Sequence, residues 1–301
     1  MKRTQKQTTL LEFERNSNAN ASSNEIHRIS RRQFILKNFA LAATVAFGEG
    51  TLASGHIQVT NHSLPMRGLK KPMRLLQMSD FHRSWCVSES FLQRVVDQAN
   101  DLKPDVILLT GDFVTKSASY MESCVNALTK LTPKYGSYAV LGNHDYASDE
   151  HNAAAQITSD LQKLNIPVLT NRSHKLETGL TIVGIDDYWL GQPNPEKAFQ
   201  GVDLRGAVMA MTHNPGIFPL VSKWSCTFVA GHTHGGQIHL PLITPYVLEG
   251  IGRKASKYLS GWFSDENGPG RLYVSRGLGV VGIPMRFRCD PEITLFDLQP
   301  A

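Results

Sequence analysis

The chain has 301 residues, 41% of them hydrophobic, enough to bury a substantial core in one large domain or two small ones. Its formal charge of +5 is unevenly spread: residues 1–53 carry eight basic and four acidic side chains, which leaves the remainder almost neutral at 23 against 22. A neutral body lacks the basic stripe of a nucleic-acid-binding surface, so any anionic ligand has to be caught locally.

Residues 1–29 are polar, include the run Asn16-Ser-Asn-Ala-Asn-Ala-Ser-Ser-Asn24 and show no apolar period, the composition of a disordered arm. The character then changes. Ser30-Arg-Arg-Gln-Phe-Ile-Leu-Lys37 is followed by the uncharged, weakly apolar Phe39–Gly48, and together they resemble a twin-arginine export signal. The apolar run is too short to span a membrane, which takes roughly 20 residues. Thr51-Leu-Ala53 offers a weak small-residue cleavage site. The alternative is a cytosolic arm that happens to contain Arg-Arg. Export by this route would carry a protein folded before crossing, often with its cofactor aboard.

From Met73 the chain alternates strand-like and helix-like segments, the pattern of an α/β domain. Arg74–Met78 is a short apolar strand that stops at Ser79-Asp80-Phe81-His82. Ser88 is placed to N-cap a helix whose apolar residues Phe91, Leu92, Val95, Val96, Ala99 and Leu102 recur at three and four, and Pro104 ends it. Asp105–Thr110 is the next buried strand and delivers Gly111-Asp112. A helix with Met121, Cys124, Val125, Leu128 and Leu131 on its apolar face stops near Pro133, and Tyr138–Leu141 delivers Gly142-Asn143-His144-Asp145. A third helix is expected from about Ser148 to Leu164. Beyond Pro167 strands are expected around 180–185, 207–212, 226–230, 272–275 and 293–298. Two of them end on histidine, at His213 and at Gly231-His232-Thr-His234. Cys86, Cys124, Cys226 and Cys289 have neither CxxC spacing nor the density of a disulfide scaffold and read as free thiols, although an exported protein leaves a disulfide open.

Five separate strands thus stop at residues able to bind a metal: Asp80 with His82, Asp112, Asn143, His213, and His232 with His234. Strand ends and the loops leaving them form the ligand crevice of open α/β sheets, so these side chains can converge from distant positions. One such strand end would be an ordinary turn. Seven candidate ligands at five ends point to a metal site. Mixed imidazole, carboxylate and amide donors suit Mn, Fe, Co, Ni or Zn better than Ca or Mg.

Asp80-x-His82, Gly111-Asp112, Gly142-Asn-His-Asp145, His213 and Gly231-His-x-His234 resemble, in order, the motif set of the calcineurin-like metallophosphoesterases. Gly184-Ile-Asp-Asp187 with Trp189, Thr212-His-Asn-Pro215, Gly231–Gln237, Ser275-Arg-Gly-Leu-Gly279 and Pro291-Glu-Ile-Thr294 further resemble the twin-arginine-exported bacterial phosphodiesterases of the YkuE/YaeI type. One departure is Thr115, where the family often carries an acid that is not a metal ligand. The resemblance implies an αββα sandwich of two mixed sheets flanked by helices. It implies a catalytic domain over 73–301, preceded by a disordered arm and signal over 1–53 and a linker over 54–72.

The resemblance also implies a two-metal centre bridged by Asp112, with Asp80, His82 and His234 completing one ion's shell and Asn143, His213 and His232 the other's. Two divalent ions would generate hydroxide near neutrality and hold both oxygens of an in-line displacement at phosphorus. His144 would stabilise transition-state charge or protonate the leaving oxygen, oriented by Asp145; the alternative is a histidine that only fixes its loop. Arg276 is a candidate phosphate contact or, equally, a surface ion pair. Asp186 and Asp187 read as turn residues or as groups that support ligands rather than as ligands themselves, and Tyr246, Tyr258, Trp262 and Phe263 as packing, with a wall of the substrate cleft as the alternative. His56, His62, His151, His174 and His239 carry no role. The expected activity is hydrolysis of a phosphodiester in the periplasm or at the outer face of the cytoplasmic membrane, after passage through the twin-arginine machinery. An alternative is a pyrophosphatase on a lipid-linked nucleotide or envelope precursor, with peripheral membrane contact. An alternative of another class is a non-catalytic envelope protein with a structural metal. Asn143 argues against that one, since structural sites favour Cys and His.

Overall fold

A computed structural model describes residues 56–148, 153–239, 257–266 and 268–301, all of which fall in one compact unit, Gly50–Ala301. The export signal, its cleavage site, residues 149–152 of the helix expected from about Ser148, and Tyr246 lie outside the described residues; Ser148 itself is not helical, and the described helix runs from Ala153.

In chain order the elements are β1 (Gln58–Met66), β2 (Met73–Met78), α1 (Glu89–Asp101), β3 (Val106–Leu109), α2 (Met121–Leu128), β4 (Ser137–Ala139), α3 (Asn143–Tyr146), α4 (Ala153–Lys163), β5 (Arg172–Lys175), β6 (Leu180–Gly184), α5 (Pro195–Ala198), β7 (Ala207–Met211), α6 (Phe218–Val221), β8 (Thr227–Ala230), β9 (Gly261–Asp265), β10 (Gly268–Val274) and β11 (Glu292–Pro300). The strands form a five-stranded sheet in the order β1-β11-β2-β3-β4 and a six-stranded sheet in the order β5-β6-β7-β8-β10-β9. Both are mixed. β2, β3 and β4 run parallel, as do β6, β7, β8 and β10, while β11 opposes β2 and the edge strands β5 and β9 oppose their neighbours.

Side chains alternate across each strand, and here both faces are apolar, so the strands read as continuous hydrophobic runs. Leu75, Val106 and Leu108 of the first sheet meet Ile182, Met209, Met211 and Val229 of the second in a core between the sheets. On the other face, Leu76, Ile107 and Leu109 pack under α1, α2 and α4. Val183, Val208, Ala210 and Phe228 pack with Phe199, Phe218 and Val221 near α5 and α6. The layering is helix, sheet, sheet, helix, as expected. Ser88 caps α1, its hydroxyl accepting from the Phe91 amide at 3.1 Å.

One expectation is corrected. Residues 58–66, placed in a linker, form β1, which pairs in parallel with β11 from Gln58 opposite Glu292 to Met66 opposite Pro300. As an edge strand it keeps one side open, so its apolar signal is weak, and Pro65 is tolerated there. The four cysteines are free. Tyr258 and Trp262 pack as expected: Tyr258 lies against Phe218 and Phe263, and Trp262 against His62, Tyr273 and Phe296.

Candidate metal centre

The first sheet delivers Asp80 and His82 just past β2, Asp112 past β3, and Asn143 as the first residue of α3. The second delivers His213 past β7, and His232 and His234 past β8. The two sheets are pinned together beside this edge by buried Gln77 of β2, whose amide donates to the Ala230 carbonyl of β8 at 2.8 Å. The exits of β2 and β3 are laced by backbone bonds from Asp80 to Gly111, His82 to Asp112 and Arg83 to Phe113. Gly231 donates to the His213 carbonyl, and the His232 amide donates to the Asp80 carboxylate at 3.0 Å.

Local backbone conformation sets these residues apart. Asp80, His82, Asp112, His232 and His234, five of the seven candidate ligands, have positive φ between 46° and 73°. An L-residue in that region pays roughly 1–2 kcal/mol, so such strain persists where surrounding structure imposes it, and it concentrates at functional sites. Two glycines make the approach possible. A Cβ on Gly142 would lie 2.2 Å from Asp112 Oδ1, and one on Gly231 would lie 1.9 Å from Ser79 Oγ and 2.2 Å from Asp80 Oδ2.

The seven side chains converge in two groups that share one atom. In the first, His82 Nε2 lies 2.9 Å from His234 Nε2 and 3.3 Å from Asp112 Oδ2, and His234 Nε2 lies 3.4 Å from Asp80 Oδ1. In the second, His213 Nε2 lies 3.1 Å from Asp112 Oδ2 and 3.3 Å from His232 Nδ1, which is 2.8 Å from Asn143 Oδ1. Asp112 Oδ2 belongs to both. The closely spaced His232 and His234 fall into different groups.

These donors fit metal ions. With metal–ligand bonds of about 2.1 Å, neighbouring donors lie about 3.0 Å apart in an octahedral shell and about 3.4 Å apart in a tetrahedral one. Burial pulls the His82 and His232 imidazoles down to about 3 and His234 well below the usual range, so all three are neutral near pH 7. His82 Nε2 and His234 Nε2 point at each other across 2.9 Å, a spacing that suits two donors to one cation. In the protein alone, a proton supplies the balancing charge on one side. Burial disfavours charge on both His213 and Asp112, yet their mutual attraction wins, lifting the imidazole to about 10 and holding the carboxylate well below its usual range. Metal uptake there must displace that proton. Burial and the nearby Asp112 charge raise Asp80 to about 6.

The ligand rings are held from behind. His82 Nδ1 meets Thr115 Oγ1 at 2.6 Å, His213 Nδ1 meets the Thr110 carbonyl at 2.8 Å, and His232 Nε2 meets Asn214 Nδ2 at 3.2 Å. Thr115, where the family pattern often carries an acid, thus serves as the orienter of His82.

Two expectations change. Asp145 does not orient His144: its carboxylate accepts from the amides of Gly142 and Asp112 at 2.9 Å, Phe113 at 2.8 Å and Val114 at 3.4 Å. It clamps the third motif to the second. Burial and the like charge of Asp112 raise it to about 7 in the metal-free chain. Arg276 is occupied by Glu292, which accepts from its Nε and its amide at 3.0 Å, and by Gln58. The ion-pair alternative is therefore the one the structure displays. His144 stands apart from these, with its amide on Asp112 Oδ1 at 2.8 Å and its part-exposed ring 4.9 Å from that of His82. Asp186 and Asp187 accept from amides of their own loop, and Asp186 also accepts from the Tyr146 hydroxyl at 2.6 Å; neither falls in a donor group.

Sequence reasoning missed Arg286. Its buried guanidinium donates to the carbonyls of Gly279, His234, Cys289 and Arg276 and lies 3.4 Å from His234 Nδ1, tying the loop beyond β10 to the back of a ligand. No motif surrounds Arg286, and a buried arginine looks like any other in sequence. An open cavity of about 940 Å3, lined by Arg67, Lys70, Lys175 and Arg205, opens at the other ends of β6 and β7 and contains no candidate ligand.

The described residues include no helix long and apolar enough to cross a membrane. The chain is 29% identical over 289 residues to the metallophosphoesterase YkuE of Bacillus subtilis (strain 168), covering 90% of this chain and 98% of that protein. It is 30% identical over 284 residues to the phosphodiesterase YaeI of Escherichia coli (strain K12), covering 90% and 99%. It is also 30% identical over 274 residues to the UDP-2,3-diacylglucosamine pyrophosphatase LpxG of Chlamydia trachomatis serovar D, covering 74% and 82%. The family model described as calcineurin-like phosphoesterase matches residues 73–236, more than half of the chain, and this protein belongs to that family.

Proposed function

We propose that this protein is a dinuclear-metal phosphodiesterase acting outside the cytoplasm after twin-arginine export. The observation that carries the chemistry is the shared oxygen: Asp112 Oδ2 lies 3.3 Å from His82 Nε2 in one donor group and 3.1 Å from His213 Nε2 in the other. Asp80, His82, Asp112 and His234 would hold one divalent ion, and Asp112, Asn143, His213 and His232 the second. When bound, the pair supplies Lewis acidity that polarises phosphoryl oxygens and acidifies water. Mn, Fe, Co, Ni and Zn match the donors better than Ca or Mg.

The chain's own residues do the rest. Asp112 fixes the spacing of the two donor groups and, through Oδ1, holds the His144 backbone. The His144 imidazole, with a ring nitrogen within 4.8 Å of donor atoms of His82 and Asp112, faces the centre on the His82 side and can give a proton to the departing ester oxygen. Asp145 and Arg286 keep the loops in register. The resemblance of Ser30-Arg-Arg-Gln-Phe-Ile-Leu-Lys37 and the uncharged run after it to a twin-arginine signal supports the location.

A second reading, a pyrophosphatase on a lipid-linked nucleotide, is supported by the likeness to LpxG. The test is turnover of chromogenic aryl phosphodiesters and of nucleotide pyrophosphates by the metal-loaded protein lacking residues 1–53. Diester turnover abolished by chelator and by Asp112→Asn is expected. No turnover of either class with any divalent metal would overturn the proposal, and pyrophosphate turnover alone would select the second reading.

A further inference from the structure

Four large apolar side chains are exposed among the described residues: Trp85, Trp189, Leu190 and Leu220. Trp189 and Leu190 follow the end of β6, the edge at which parallel β7 and β8 deliver His213 and His232. Trp189 is at the centre itself. Its ring lies 4.4 Å from that of His232, nearly perpendicular at 88°, while 45% of the residue stays exposed, and neighbouring Leu190 is 52% exposed. An indole with one side on a candidate ligand and the other open is a wall of the crevice.

The wall is rigid. Buried Asp187 accepts from the amides of Trp189 and Leu190 through Oδ2, at 2.8 and 2.7 Å. Asp186 accepts from the Gln192 amide at 2.8 Å and from the Tyr146 hydroxyl at 2.6 Å, and Tyr146 ends the short helix begun by Asn143. Asn171 Oδ1 receives the Asp186 and Asn194 amides. A loop anchored at both carboxylates and to the helix of a candidate ligand holds two bulky apolar groups in water. Such exposure contributes nothing to the core, and the anchoring pre-organises a contact surface.

We infer that Trp189, backed by Leu190, is the specificity-determining wall of the substrate site, and that it selects phosphate esters carrying a flat aromatic group over those carrying a small alkyl group. An aromatic ring set on the indole gains burial and ring–ring contact that a methyl group cannot reach. This rests on the phosphoesterase reading, since it assumes that the phosphate sits at the donor groups beside His232.

The experiment compares phenylphosphonate with methylphosphonate as ligands of the metal-loaded protein, followed by tryptophan fluorescence and by competition with a chromogenic diester. Phenylphosphonate should bind about tenfold more tightly, a difference of about 1.4 kcal/mol, and should quench emission. Trp189→Ala should erase the preference and raise the diester KM with kcat and metal content little changed. Trp189→Phe should retain most of the preference and lose the quenching. Equal affinity for the two phosphonates in the wild type would overturn the inference. So would a Trp189→Ala protein that weakens both equally and loses metal, since that marks a residue that only props His232. If phenylphosphonate is preferred through Trp189 but no diester is turned over, the proposed activity fails while the binding wall stands.

Discussion

Asp145→Ala separates a loop clamp from an orienter of His144. The Asp145 side chain is fully buried, and three of its four amide partners lie at 2.8 to 2.9 Å. Each buried amide left without a partner costs about 1–3 kcal/mol, so the three strong ones together put the loss at about 3–9 kcal/mol in the metal-loaded protein. In the metal-free chain the loss is smaller, because burial and the Asp112 charge already disfavour the ionised carboxylate. At about 2–4 °C per kcal/mol for a unit of this size, the midpoint of thermal unfolding should fall by roughly 6–36 °C with metal bound. The amides of Asp112 and Gly142 would lose their anchor together, so metal affinity should fall as well. Calorimetry with and without metal, alongside metal analysis, reads both effects. A variant that unfolds at the wild-type temperature, keeps its metals and loses only the turnover that His144→Ala loses would refute the clamp.

Two further outcomes follow from the same geometry. His144→Ala keeps the backbone amide that donates to Asp112, so both metals should stay bound while kcat for the diester falls by about 10²–10⁴-fold, as expected for loss of a proton donor; unchanged turnover would remove His144 from the chemistry. Arg276→Ala should lower the unfolding temperature by leaving the buried Glu292 carboxylate without its guanidinium partner, with KM for phosphate esters unchanged, and Glu292→Gln in the same chain should recover part of the loss. A raised KM with normal stability would instead return Arg276 to the substrate.

The candidate ligands were legible because apolar strands and their exits are local features: β2, β3, β7 and β8 each end in a short run that breaks the hydrophobic pattern with Asp or His. The sandwich and the sharing of Asp112 were legible by resemblance to a family, and no periodicity in the chain yields them. β1 was not legible, since its partner β11 lies more than two hundred residues away and its own pattern is that of a half-exposed edge. Asp145 and Arg276 show the same limit from the other side. Their residue types suited catalysis and phosphate binding, but hydrogen-bond partners decide what a charged group does, and these came from Gly142, Asp112 to Val114, Glu292 and Gln58.

The sequence by itself determined which atoms can ligate a metal and at which strand ends they stand, because side-chain chemistry and hydrophobic period are properties of short segments. Tertiary structure alone decided how those atoms divide. It placed His232 with His213 and Asn143, and His234 with His82 and Asp80, and it put Asp112 Oδ2 between the groups. It did so by packing two sheets face to face, so that the strand ends carrying the ligands meet, and by holding five ligands in left-handed backbone, an arrangement no local preference would select.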